Sequence, residues 1–279
     1  MPLVTTADLV RQASDSRRGV AAFNVITLEH AEAIVLGAAR AQTPVVLQIS
    51  QNAVKFHGGH LQPIAAATLA LASAAEVDVS VHLDHVDDED LLRRTADCGL
   101  SSVMFDASHL DYADNVAATR SAAQWAHAHG LFLEAELGTV GGKDGAHAPG
   151  VRTDPGEAQD FVQQTGVDSL AVAVGSSHAM TDRSATLDTG LIAMLADALD
   201  VPLVLHGSSG VPDEMLARAV QTGMVKINIG TILNVAFTGA VRAVLHHDTD
   251  VVDPRTYIAP GREQMAQVVQ RLAEVVGGA

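Results

Sequence analysis

The sequence predicts a closed (β/α)8 barrel, and three observations predict it. Short apolar, β-branched runs recur eight times at intervals of about 22 to 38 residues. Stretches with apolar residues at helical spacing lie between them. The runs are continuously apolar rather than half-polar, as parallel strands covered by helices require. Eight such units fit closure into a barrel better than an open doubly wound sheet.

The elements follow in order. A leading helix is predicted over Thr6 to Ser14, and VAAFNVI at 20–26 is the first strand. LEHAEAIVLGAARAQ at 28–42 has helical spacing with Glu29 in its first turn, where a negative charge suits the helix dipole. PVVLQIS at 44–50 and VDVSVHLDH at 77–85 are the second and third strands. DEDLLRRTADCG at 88–99 opens on acids and closes on Gly99, which are helix start and stop signals. SSVMFDAS at 101–108 is the fourth strand, and ADNVAATRSAAQWAHAHG at 113–130 is a helix closing on Gly130. LFLEAELG at 131–138, SLAVAVGS at 169–176, PLVLHGSS at 202–209 and MVKINIGT at 224–231 complete the eight strands. A final helix is predicted over Arg262 to Val276. No linker, charge block or low-complexity tract interrupts the chain, so a single domain over 1–279 is expected.

Composition narrows the function. A formal charge of −16 disfavours nucleic acid and anionic membranes, both of which need a basic face. No apolar run approaches the roughly 20 residues of a membrane span. Cys98 is the single cysteine, so no internal disulfide framework is available. The start MPLVTTADLV has neither a basic n-region nor an apolar h-region, and a cytoplasmic protein is expected.

In a barrel of this kind the C-terminal ends of all strands converge on one face. There the sequence offers Asn24, Ser50, Asp84 with His85, Asp106, Glu134 with Glu136, Ser176 with His178 just beyond, His206, and Asn228 with Thr231. The stretch VSVHLDHVDD at 79–88 ends a buried run in three ionisable groups, which need a partner, a metal or water. His85, His178 and His206 bring three imidazoles from three strand ends, the donor set of a catalytic zinc with one position open. A lone histidine is more often simply packed or hydrogen-bonded; three on one face argue otherwise. His82 shares strand parity with Asp84 and reads as an orienting group. Asp84 reads as a general acid/base, with a carboxylate that orients a ligating histidine as the alternative.

Glu134 and Glu136 share inward parity and are expected at the mouth beside Asp106, where a second metal position is favoured over a structural ion pair. Lys226 also points inward. It reads as an ion-pair partner for buried acids, the alternative being a Schiff-base lysine. HGSSG at 206–210 and NIGT at 228–231 follow strands seven and eight, where barrel enzymes frequently hold phosphate. Trp125 reads as core, and Cys98, His246 and His247 carry no assigned chemistry.

Eight segments together resemble the class II, zinc-dependent ketose-bisphosphate aldolases, the family of fructose- and tagatose-bisphosphate aldolases. They are AFN at 22–24, HLDH at 82–85, MFDASH at 104–109, EAELGTVGG at 134–142, TGVDSLAVAVGSSH at 165–178, PLVLHGSSG at 202–210, KINIGT at 226–231 and DPRTYIAP at 253–260. They run in order over nearly the whole chain. The resemblance implies Zn2+ on His85, His178 and His206, Asp84 as catalytic acid/base, and a second metal position on Asp106 and Glu136. It places dihydroxyacetone phosphate on Gly207, Ser208 and Ser209 and on Asn228, Ile229, Gly230 and Thr231. A monovalent cation, Na+ or K+, is implied near the carbonyls of Ser177, Ala179 and Gly207. Asn24 and Ser50 match positions facing the aldehyde half. Arg255 matches an arginine that reaches a second phosphate across a subunit interface, so a homodimer or homotetramer is expected.

Three departures from the family pattern stand out, one being a loop after the fifth strand that is about two residues shorter than usual. Ala179 occupies a position usually held by glycine, and KDGAHAPG follows the paired glycines where an acidic pair or glutamate is usual. Asp144 falls near that catalytic position and is expected to move the C3 proton. The implied reaction is reversible cleavage of a ketose 1,6-bisphosphate to dihydroxyacetone phosphate and glyceraldehyde 3-phosphate. The alternatives are a non-catalytic aldolase-like partner subunit, an aldolase of the same family acting on another phosphorylated ketose or keto acid, and a metal-dependent barrel hydrolase. The hydrolase would need no phosphate loops.

Overall fold

The computed structural model describes residues 2–137, 152–176 and 182–278. Eight parallel strands close into a barrel in chain order. They are β1 (Val20–Asn24), β2 (Val45–Ser50), β3 (Val79–Val86), β4 (Ser102–Phe105), β5 (Phe132–Glu136), β6 (Ser169–Ala171), β7 (Leu203–Leu205) and β8 (Met224–Ile229). Pairing of β1 with β8, Ala21 opposite Ile227 and Ala22 opposite Asn228, shuts the ring.

The helices are α1 (Thr6–Asp15), α2 (Leu28–Ala41), α3 (Gln51–Phe56), α4 (Leu61–Ser73), α5 (Glu89–Asp97), α6 (Tyr112–Ala128), α7 (Pro155–Thr165), α8 (Thr189–Ala198), α9 (Asp213–Thr222), α10 (Thr231–His247) and α11 (Pro254–Gly277). None of them is long and apolar enough to cross a membrane.

Strand parity divides the barrel cleanly. Leu47 and Ile49 of β2, Val81 and Leu83 of β3 and Leu133 of β5 face outward into the main apolar core under the helices. Their alternates face the barrel axis. At the N-terminal end of the barrel these inward residues are apolar: Val20, Ala22 and Val46 form a separate cluster with Leu9, Val10 and Ala13 of α1. Further up they turn polar, with Gln48, His82, Glu134 and Lys226 all fully buried. A polar thread enters from α1: Ser102 donates to Thr6 Oγ1 at 2.6 Å, Thr6 Oγ1 donates to Ser80 Oγ at 3.0 Å, and His82 Nδ1 lies 2.8 Å from Ser102 Oγ. An apolar floor thus supports a polar interior, and the site sits on top of it.

The last helix differs from the sequence expectation, which starts it at Arg262. It begins at Pro254, and Pro260 lies inside it. Asp253 caps the start by accepting from Arg255 N at 3.0 Å, and proline suits the first helical position. Pro260 forfeits one hydrogen bond, a loss that packing of α11 on α2 and α10 outweighs. That packing is close enough to demand glycine: a Cβ on Gly37 of α2 would stand 2.5 Å from the Ala266 carbonyl oxygen.

Candidate active site and metal centre

The strand ends form a cavity of about 590 Å3 at the C-terminal mouth of the barrel. Asp84 and His85 both line it, although neighbours on a strand normally face opposite sides. The pairing of β3 with β4 shifts register between Leu83 and Val86, and His85 takes a left-handed φ of 50°. This irregularity turns the imidazole toward the axis.

Ligand-capable atoms of Asp84, His85 and His206 lie within 4.8 Å of one another, and those of His85, Asp106 and Glu136 do likewise. His85 Nδ1 stands 2.9 Å from Asp106 Oδ2. Asp106 is itself held by Ser108, whose backbone N–H and hydroxyl donate to Oδ1 at 3.1 and 2.7 Å. His206, fully buried, sits between two glutamates: Nε2 is 3.1 Å from Glu134 Oε1 and Nδ1 is 3.1 Å from Glu136 Oε2. Burial alone would depress the His206 pKa, but hydrogen bonds to both glutamates and their charges push it up to about 10. His85 is raised for the same kind of reason, with the Asp84 charge and the Asp106 bond outweighing burial.

The donor chemistry fits zinc. Two imidazoles and a cluster of carboxylates converge, and in a tetrahedral site with ligands about 2.0–2.1 Å from the ion the donors stand roughly 3.4 Å apart. A buried cluster this acidic requires positive charge, which a divalent cation supplies more fully than protons on histidine.

Asp84 is 2% exposed. Side-chain amides of Gln48 and Asn228 approach its two oxygens at 3.4 Å each, and His82 Nε2 lies 3.9 Å away. Burial and the nearby Lys226 charge push the His82 pKa down to about 3, so this imidazole is neutral.

Glu134 departs from its expected place. It lies beneath the mouth, fully buried, with Lys226 Nζ 2.8 Å from Oε2. Burial would raise its pKa, yet Lys226 and the His206 hydrogen bond hold it well below the usual carboxylate range. The structural ion pair with Lys226 thus accounts for the buried charge of Glu134, whose carboxylate also lies within 4.8 Å of ligand-capable atoms of His82 and Asp84. Lys226 also donates to Asn228 Oδ1 at 2.8 Å, which ties the buried pair to the residue contacting Asp84.

Among the other expected residues, Asn24, Ser50, Gly207, Ser208, Ser209, Asn228, Gly230 and Thr231 line the cavity. Ser50 Oγ accepts from Ala53 N at 3.1 Å and so caps α3, and Asn24 Oδ1 accepts from Gln48 at 2.8 Å. Gly207 adopts a left-handed φ of 66°, and the loop ends in a short 3-10 turn over Ser208–Gly210. The Ser208 hydroxyl donates to the Asn228 carbonyl, joining the β7 and β8 loops. Gly230 is the N-cap of the 17-residue helix α10, whose first turn opens on the cavity, a geometry suited to phosphate.

Ile229 does not line the cavity. Its parity sends the side chain into the outer core, where it is 1% exposed. Arg255 stands on the surface at the start of α11, its side chain 89% exposed and paired with Asp253 at 2.6 Å. Asp144, Ser177, His178 and Ala179 lie outside the described residues.

Gln48, Gln51, Asn52, Lys55, Asp87 and Asn234 also line the cavity and are absent from the sequence-based set. Gln48 carries a legible signal, since it shares inward parity with Ser50 and is opposite His82 in register. Asn234 lies one helical turn beyond Thr231.

Comparison with known proteins bears on the family and the fold. The family model described as "Fructose-bisphosphate aldolase class-II" matches residues 4–279. The YdjI aldolase of Escherichia coli K12 is 28% identical, with 99% of this chain and 97% of that chain covered and a TM-score of 0.82. A Coccidioides immitis protein assigned as a fructose-1,6-bisphosphate aldolase is 26% identical, with 97% and 95% covered and a TM-score of 0.85. Fructose-bisphosphate aldolase of Campylobacter jejuni is 23% identical over 98% and 95%, with a TM-score of 0.82, and shows the fold alone.

Proposed function

The chain belongs to the class II fructose-bisphosphate aldolase family, and from that premise we propose that it cleaves a ketose 1,6-bisphosphate reversibly to dihydroxyacetone phosphate and glyceraldehyde 3-phosphate. One observation carries the reading: the buried Asp84 carboxylate shares a single cavity with a zinc-type donor set and with the loops after β7 and β8. The sugar proposed is fructose or tagatose 1,6-bisphosphate, with residues 1–279 acting as one catalytic unit.

His85, His206 and His178 would hold the zinc, which when bound would supply Lewis-acid chemistry at the triose end of the substrate. Asp84 accepts the C4 hydroxyl proton in cleavage, the C3–C4 bond breaks with its electron pair staying on C3, and the aldehyde leaves. In condensation Asp84 returns that proton to the aldehyde oxygen. The amides of Gln48 and Asn228 face the two Asp84 oxygens and orient the carboxylate. Asp144 is assigned the C3 proton. Gly207, Ser208, Ser209 and the first turn of α10 receive the triose phosphate through backbone N–H groups, and Asn24 and Ser50 face the aldehyde half. Asp106 and Glu136 belong to a second metal position, and a monovalent cation, Na+ or K+, belongs near the Gly207 carbonyl.

A homodimer or homotetramer is part of the same proposal. Helix α10 is apolar in composition, yet Leu233 is its single buried residue, and Val235 and Leu245 are 50% and 41% exposed. Such a face suits a second copy.

The test is a coupled assay with both sugars on protein of measured zinc content. Cleavage should track zinc, disappear on chelation, return with zinc or cobalt, and leave no adduct after borohydride treatment with substrate. Full activity in metal-free protein, or covalent trapping on Lys226, would overturn the mechanism.

A further inference from the structure

We propose that Lys55 holds the anionic group at the aldehyde end of the substrate and so determines which acceptor the enzyme prefers. This rests on the aldol reading above. Lys55 lies on α3, which continues directly from β2 with Ser50 as its cap. The short helix is pinned from both sides. Gln51 is clasped to Asp87 beyond β3, its amide donating to the carboxylate while its oxygen accepts from Asp87 N at 3.1 Å. His57 Nε2, just past the helix, lies 2.7 Å from the Ile26 carbonyl oxygen beyond β1. The backbone of Lys55 is thereby held after β2, between anchors beyond β1 and β3, and its exposed side chain lines the cavity, while the phosphate-type loops lie at β7 and β8.

Charge gives this placement its meaning. Among the described residues lining the cavity Lys55 is the one lysine or arginine, against Asp84, Asp87, Asp106 and Glu136. Its ammonium forms no hydrogen bond or ion pair with a described residue, so it is not spent on neutralising those acids. A substrate anionic at both ends needs a favourable contact at each end. Backbone N–H groups serve one, and Lys55 is the described lining group that can serve the other. Arg255 of the same chain is not in the cavity wall.

The experiment compares condensation of dihydroxyacetone phosphate with glyceraldehyde 3-phosphate and with neutral glyceraldehyde, on zinc-loaded wild type, Lys55→Met and Lys55→Arg. Lys55→Met should lower the kcat/KM preference for the phosphorylated acceptor roughly 10- to 100-fold, the scale of a lost charge-assisted contact. Lys55→Arg should retain most of it. An unchanged preference in Lys55→Met, or an equal fall with both acceptors, overturns the proposal, the latter marking Lys55 as a prop for α3. Should wild type condense neither acceptor, the aldol reading fails by itself. Calorimetric binding of glyceraldehyde 3-phosphate then decides for Lys55: weaker binding by Lys55→Met supports it, and equal binding by both proteins overturns it.

Discussion

Asp84 and His85 are consecutive residues whose side chains both enter the mouth of the barrel, and a left-handed His85 with φ 50° makes this arrangement. A regular strand would have sent one of them to the outer face. Holding a non-glycine residue there costs on the order of 1–3 kcal/mol, a strain typical of functional sites. The return is an acid/base candidate directly beside a metal-ligand candidate.

The two neighbours should therefore fail differently. Asp84→Ala is expected to bind near-normal zinc and lose roughly 10²-fold or more in turnover, the usual scale for removing a general acid/base. His85→Ala should lose the metal. Zinc content by atomic spectroscopy, measured beside kcat, separates the two, and equal metal loss would return Asp84 to an orienting role.

Beneath them, Lys226 and Glu134 neutralise each other in a fully buried pair. Lys226→Met leaves the buried Glu134 carboxylate without its ammonium partner and should cost about 3–5 kcal/mol of stability. Adding Glu134→Gln should recover much of that loss. Urea unfolding of the single and double variants checks the coupling, and additive losses would show that the pair contributes nothing jointly.

Acid should destabilise the metal-free fold through His82. Its folded pKa of about 3 lies below the ordinary value of 6.5, so the unfolded chain binds the extra proton between those limits. Stability from this group is complete above about pH 6.5 and is lost as pH falls toward 3. At pH 4.5 the loss should reach roughly 2.7 kcal/mol, and His82→Gln should show a correspondingly flatter profile. Denaturant midpoints from pH 7 to 4.5 provide the comparison; parallel curves would assign the acid sensitivity elsewhere.

Arg255 is predicted to act on the second phosphate from a neighbouring subunit. Arg255→Ala should weaken cleavage of the ketose bisphosphate while largely sparing C3 proton exchange of dihydroxyacetone phosphate, which has no second phosphate. Mixed dimers of Arg255→Ala and Asp84→Ala subunits should recover cleavage if the arginine crosses the interface. No recovery in verified mixed dimers would place its action in its own chain.

Much of the site was legible because strand parity is local. Alternation sets Asn24, Gln48, Ser50, Asp84, Glu136 and Asn228 on the inner face whatever the rest of the chain does, and convergence of strand ends follows from a parallel barrel. The same rule sends the Ile229 side chain outward into the core, leaving its backbone as the part of it that could meet substrate. Gln48 obeyed the rule and was overlooked, since an amide within an apolar run carries less chemical signal than a carboxylate or imidazole.

The sequence by itself determined the eight-fold alternation, the identity of the polar residues at the strand ends, and the inward direction of Glu134 and Lys226. Only the tertiary structure decided their depth and partners. Glu134 precedes Glu136 by two residues, about 6.6 Å along a strand, which removes it from the mouth and brings it to Lys226, far away in sequence. The same holds for His85, turned inward by a register break against β4, and for α11, whose packing overrides an internal proline. Parity and capping depend on neighbours in the chain, whereas the pairing of buried charges depends on distances across the barrel that exist only once it has closed.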